Sequence, residues 1–179
     1  MFDALMTLRP DLASVAQRPG AIGRVFYVRA AWAGGDNANS GHDPGAPLAT
    51  IAEAMNRCTN DHNDYIIVLT CWEEPVPIVV DKTMVHIIGI GGSLMSPAAT
   101  FHAPTDAAVF TLTGDSNNLE IAGFSFGGSI SHGAIENTVG TVMGLNVHHC
   151  VFGHSFAADG DALLHGIHIA SNATGIIIA

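Results

Sequence analysis

Two carboxylates stand close together in the second half of the chain, Asp159 and Asp161 in the segment FAADGDALL. Glycoside hydrolysis needs a carboxylate pair on one face, and strand alternation points residues two apart the same way. They are the catalytic candidates. The competing reading is a turn around Gly160 whose aspartates bond their own backbone. Histidine is the other reactive type. His132, His148, His149, His154, His165 and His168 fall within one stretch. Imidazole suits a transition metal, but these spacings match no metal motif, so no metal and no cofactor is expected. The adjacent His148 and His149 are expected to face opposite sides of a strand. Trp32 and Trp72 can stack on sugars, although packing is the expected role of each. Gly89 to Gly92 lacks the lysine and the helix of a phosphate loop.

Cations are scarcer than acids. The chain has 6 Lys and Arg against 16 Asp and Glu, for a formal charge of −10 with neutral histidine. All the Lys and Arg lie at or before Lys82, and beyond it the acids are Asp106, Asp115, Glu120, Glu136, Asp159 and Asp161. Nucleic-acid binding needs clustered cations, so it is excluded as an expectation, and attraction to anionic lipid with it. Charged residues make up 12% of the chain, about half the usual share. The surface is therefore either coated with neutral polar groups or covered by partner chains. Cys58, Cys71 and Cys150 form no CxxC pair and read as small buried hydrophobes of a reducing compartment. The start has no secretory signal, and no apolar run is long enough to span a membrane.

Residues 1–24 read as a leader. Two short apolar helical pieces, broken at Pro10 and at Pro19-Gly20, are too short to persist alone. They should dock through Phe2, Leu5, Met6, Leu8, Leu12 and Val15. Residues 25–179 read as one domain. A strand at 25–29 leads into a loop rich in Gly, Asn, Asp and Pro. Thr50 and Glu53 form a capping box, opening a helix at about 51–58 with Ile51, Ala54, Met55 and Cys58 on one face. Short strands follow at 65–70, 75–82 and 84–92. Val85 to Gly89 aligns with Leu119 to Gly123, and Val147 and Ile176 take the corresponding places later. Phe126 and Phe152 repeat as well. Periods of this size mean stacked coils of strand and corner, with Asn, Gly and Ser making the bends. The expected fold is all-β, a right-handed parallel β-helix with an N-terminal capping helix, against a β-sandwich as runner-up. Its C-terminal end, inside the strand-like GIIIA, has no cap in this reading.

The order of FYV at 26–28, polar loop, PLATIAEAM at 47–55, YIIVL, IVVDK at 78–82 and HIIGIGG at 86–92 resembles the opening of pectate-lyase-like right-handed β-helix proteins. The resemblance covers 25–92, and 108–179 only through the degenerate repeat. It implies fold more than activity, because that superfamily holds lyases, hydrolases, phage tailspikes and inert structural proteins. The lyases use an Arg or Lys base on the coils, and this chain has none beyond Lys82. The expectation is a structural virion protein of a tailed bacteriophage (a fibre, spike or decoration subunit), assembled in the host cytoplasm. It would be a homotrimer, held to a capsid or tail protein through residues 1–24, with a host-surface glycan as a further partner. The alternatives are a polysaccharide lyase or depolymerase, and a glycan-binding adhesin without catalysis.

Overall fold

The computed structural model describes residues 23–70, 77–90, 92–93, 96–97, 100–102, 106–114, 116–127, 130–137, 139–153, 163–170 and 172–179. Strands account for 47% of the structure, with one α-helix among the described residues. Strand β1 (Val25–Arg29) buries Phe26 and Val28 by simple alternation. The loop after it is tied down from both sides. Asn37 Oδ1 accepts the amides of Ala49 and Thr50, and the Arg57 guanidinium donates to the carbonyls of Asn37, Asn39 and Ser40.

Helix α1 (Ile51–Arg57) starts where the capping pattern places it. The Thr50 hydroxyl accepts the Glu53 amide at 3.2 Å. The other half of the box is replaced: the Glu53 carboxylate turns along the helix to accept from Arg57 Nε at 2.7 Å, a charged partner one turn away. Ile51, Ala54, Met55 and Cys58 are all buried. The helix packs on β1, β2 (Asp64–Thr70) and β3 (Ile78–Val80), so its apolar face joins the main core.

The remaining strands are short. They are β4 (Val85–Gly89), β5 (Gly92–Ser93), β6 (Ser96–Pro97), β7 (Thr100–His102), β8 (Phe110–Leu112), β9 (Glu120–Ala122), β10 (Ser125–Gly127) and β11 (Ile130–Asn137). Then come β12 (Thr141–Met143), β13 (Asn146–His148), β14 (Val151–Phe152), β15 (Leu163–Ile169), β16 (Asn172–Thr174) and β17 (Ile177–Ile178). Three sheets carry most of them, ordered β1-β2-β4-β9-β13-β17, β14-β10-β7 and β15-β11-β8-β3, with β12-β16 as a small fourth. Every pairing in these four is parallel, and the two-residue β5–β6 pair is antiparallel. From β9 the chain visits each of the four sheets in turn and returns beside its own previous strand.

Inward rows fill the space between the sheets. Phe26, Ile66, Ile87, Ile121, Val147 and Ile178 stand in register across the first sheet. Phe101, Phe126 and Phe152 stack in the second, their neighbouring rings 6.1 and 5.2 Å apart. Ile78, Phe110, Ile135 and Ile167 line up in the third. The alignment of Val85 to Gly89 with Leu119 to Gly123 holds residue for residue. The later alignment slips by two: Val147 sits beside Ile121, and Ile178 beside Val147. A two-residue slip keeps every side chain on its face, so alternation alone cannot detect it.

Left-handed residues mark the corner that precedes each strand of the first sheet after β1: Asn63, Met84, Asn118, Gly144 and Gly175. Asn and Gly accept that conformation readily, and Met84 is the one departure. Gly23 and Arg24, taken above with the leader, already bond to Asn63 and Asp64.

Candidate functional site

Outward positions of the first sheet carry a polar row. His86 on β4 and Glu120 on β9 are direct cross-strand partners. His86 Nδ1 lies 2.6 Å from Glu120 Oε2, and His148 Nε2, from β13, lies 2.7 Å from Oε1. The row extends at both ends. His86 Nε2 is 2.8 Å from Asn63 Oδ1, and its ring stacks on Tyr65 at 4.2 Å. His148 Nδ1 is 2.7 Å from His149 Nδ1. The hydrogen bond to His86 does most to hold the Glu120 carboxyl down, at about 2. The bond to His148 adds to it, and burial works the other way.

His148 and His149 do not face opposite sides, as strand alternation predicts. His149 lies beyond the end of β13 with a left-handed backbone, φ 54°. That bend swings its ring back against His148.

A second carboxylate of the same kind sits on the third sheet. Glu136 of β11 is nearly buried, at 9% exposure. Its Oε1 is 2.9 Å from His168 Nδ1 on the paired strand β15, and its Oε2 is 3.3 Å from His132 Nδ1 on its own strand. The shift in register between Ile130 and Gly133 bends β11 there, and the His165 ring stands 5.6 Å from that of His168.

Asp64 is the third, fully buried at the head of β2. It accepts from the amides of Arg24 and Thr59 at 2.6 and 2.9 Å, and His62 Nδ1 lies 2.6 Å away. Burial is the largest single influence and pushes its carboxyl up. The bonds from His62, Thr59 and Arg24, with the Arg24 guanidinium, together outweigh it and leave the carboxyl below its usual range. Neighbouring Cys58 is driven up to about 12, first by burial and then by the Asp64 charge. It remains an unreactive thiol at neutral pH.

A carboxylate that orients an imidazole is half of a catalytic dyad. In the first-sheet row the outer nitrogens of both rings are engaged too, by Asn63 and His149, which makes it a strand-to-strand clamp. Among the described residues no group of three or more His, Cys, Asp or Glu is arranged to hold a metal ion. The catalytic candidates Asp159 and Asp161 lie outside the described residues, as do Trp72, His154 and the attachment residues Phe2, Leu5, Met6, Leu8, Leu12 and Val15. Trp32 is 75% exposed, so it is not packed into the core of the described residues. Asp64, Glu120 and Glu136 were passed over in the sequence reading. A signal for Glu120 existed, because the alignment of the two repeats sets His86 against it.

No helix of the described residues is long and apolar enough to cross a membrane. Comparison with protein-family models, curated proteins and solved structures found no match to this chain.

Proposed function

We propose that this chain is a structural virion protein of a tailed bacteriophage, a fibre, spike or decoration subunit built as a right-handed parallel β-helix. The carrying observation is what its carboxylates do. Asp64, Glu120 and Glu136 each take hydrogen bonds from a neighbouring strand or corner. These are the groups a hydrolase would turn toward substrate, and here they join one coil to the next. The continuous inward rows of three sheets support the β-helix, and parallel crossover connections are right-handed almost without exception. The resemblance of residues 25–92 to pectate-lyase-like proteins supports the same fold. The absence of Lys and Arg beyond Lys82 supports a coil surface covered by sister subunits in a trimer.

The native particle provides the test. An antibody raised against this chain should decorate purified virus particles of its source at one repeated position, and sedimentation of the isolated chain should give a trimer. Particles that lack the chain would overturn the reading. Reproducible cleavage of an acidic polysaccharide, abolished by Glu120→Gln, Asp159→Asn or Asp161→Asn, would replace it with the enzyme reading.

One observation favours a second reading, a non-catalytic glycan-binding adhesin. Trp32 is exposed on a loop that the Asn37 and Arg57 hydrogen bonds hold still, and an exposed aromatic face is what sugars stack on. Quenching of its fluorescence by host-surface oligosaccharides, lost in Trp32→Ala, would establish that role.

A further inference from the structure

The outer face of the first sheet changes character along its width. On β9 and β13 the outward positions include Glu120, Asn146 and His148. On β1, β2 and β4 they are mostly apolar: Val25 and Tyr27, then Tyr65, Ile67 and Leu69, then Ile88 beside His86. Tyr27, Ile67, Ile88 and Ala122 stand in one outward row. The row points away from the main core, yet it is dry. Ile67 is 3% exposed, Ile88 5% and Ala122 0%. Ile177, outward at the far edge of the same face, is 59% exposed.

A parallel sheet that is apolar on both faces is covered on both. Tyr65, Ile67 and Ile88 form a cluster separate from the core, with Val25, Tyr27, Leu69 and Ile90 packed against it, and all seven belong to β1, β2, β4 or their ends. Helix α1 is not the cover, because its apolar face joins the main core. The loop after β1 is not the cover either, because Gly41 and Leu48 bond along the edge of that strand. The covering layer therefore lies outside the described residues. We propose that residues 1–20 of this same chain are that layer, laid across the outer face of β1, β2 and β4.

Position, composition and length select this segment. Gly23 donates to the Asn63 carbonyl and the Tyr65 amide donates to the Arg24 carbonyl, so the leader joins the sheet beside Tyr65, at the head of the dry patch. Phe2, Leu5, Met6, Leu8, Leu12 and Val15 offer apolar side chains to a cluster with no charged member. The two pieces on either side of Pro10 are about eight residues each, about 12 Å long as helix, which spans three strands about 4.8 Å apart. Helices this short do not persist alone in water, and an apolar face supplies what they lack. Ordering residues 1–20 costs nearly what the buried face returns, so the layer rests on the sheet from outside and the sheets stand without it. The proposal needs nothing of the virion reading. A layer so lightly held stays free to exchange onto a partner, so the attachment role of the same residues does not compete with it.

The test is thiol labelling of the full chain. Ile67→Cys, measured against the background of the native cysteines, should react slowly with a maleimide. Leu5→Ser, Leu8→Ser, Leu12→Ser and Val15→Ser together should speed that labelling about tenfold or more. Cys58 should stay slow in both chains, which separates uncovering of the face from unfolding. Ile88→Cys serves in the same way if Ile67→Cys does not fold. Labelling that is already fast with the native leader overturns the proposal, and so does a slow rate that ignores the serine substitutions. Protection that fades on dilution also overturns it, because a second copy then supplies the cover.

Discussion

Glu120 is held on both sides, its two oxygens within 2.7 Å of imidazoles from the strands that flank it. The ordinary carboxyl value is 4.5 and here it falls to about 2. A depressed carboxyl adds stability that is complete above the unfolded value and is lost as pH falls through the folded one. Acid unfolding of the wild type should therefore draw on Glu120 between those two values. Glu120→Gln should remove that part of the acid transition and cost about 1–3 kcal/mol at neutral pH, the usual loss for a hydrogen bond to a charged group. Denaturant titrations at several pH values measure both. Asp64 is more exacting, because nothing of it reaches solvent. Asp64→Ala leaves the amides of Arg24 and Thr59 without their acceptor and should cost about 3–5 kcal/mol. Asp64→Asn keeps one acceptor oxygen and should cost clearly less, which separates lost bonding from lost packing.

Elements were legible where two signals agreed. Helix α1 had an N-cap and a one-sided apolar face, and both are seen, with Met55 2% exposed. Met55→Asp should therefore cost about 3 kcal/mol or more, since the carboxylate would be buried among Ile51, Ile66 and their neighbours without a partner. A melting curve like that of wild type would remove α1 from the core. The strands were legible as apolar runs, but their pairing beyond β9 was not, because alternation repeats every two residues while the spacing between paired strands varies. The turns from β9 to β13 and from β13 to β17 differ in length: Glu120 pairs with Asn146, and Asn146 with Ile177. Corners decide such lengths, and their geometry is invisible in hydrophobic pattern. Gly140 shows why. Its φ is +83°, and an added Cβ would stand 2.4 Å from the Gly114 Cα. Gly140→Ala should cost about 1–3 kcal/mol through strain and a backbone clash together. Gly34→Ala, with φ +100° and open space around it, should cost only the strain, and the difference in thermal midpoint between the two measures the clash.

The molecule as a whole was more readable than its site. Mostly parallel β architecture followed from Gly-rich, aromatic-poor composition and the weak repeat of short strands. The contacts of Glu120 with His148 and of Glu136 with His168 did not follow, because their members lie 28 and 32 positions apart in sequence, past the point where the alignment held. Only correct stacking brings them together, and the stacking was the uncertain step. The leader is a matter of the same scale, since its role depends on what the rest of the chain does without it. The described core begins at Phe26, and Gly23 and Arg24 already bond to the start of β2. Helix α1 already packs on β1, β2 and β3. The apolar residues Phe2, Leu5, Met6, Leu8, Leu12 and Val15 are, in this reading, an interaction segment and not a part of that core. Deleting residues 1–20 should leave the β-sheet circular dichroism and the thermal midpoint of the remaining chain close to those of wild type, while incorporation into the particle is lost. A truncated chain that fails to fold places the leader in the core. One that folds and still assembles moves the docking surface to the coils, where charge is scarcest.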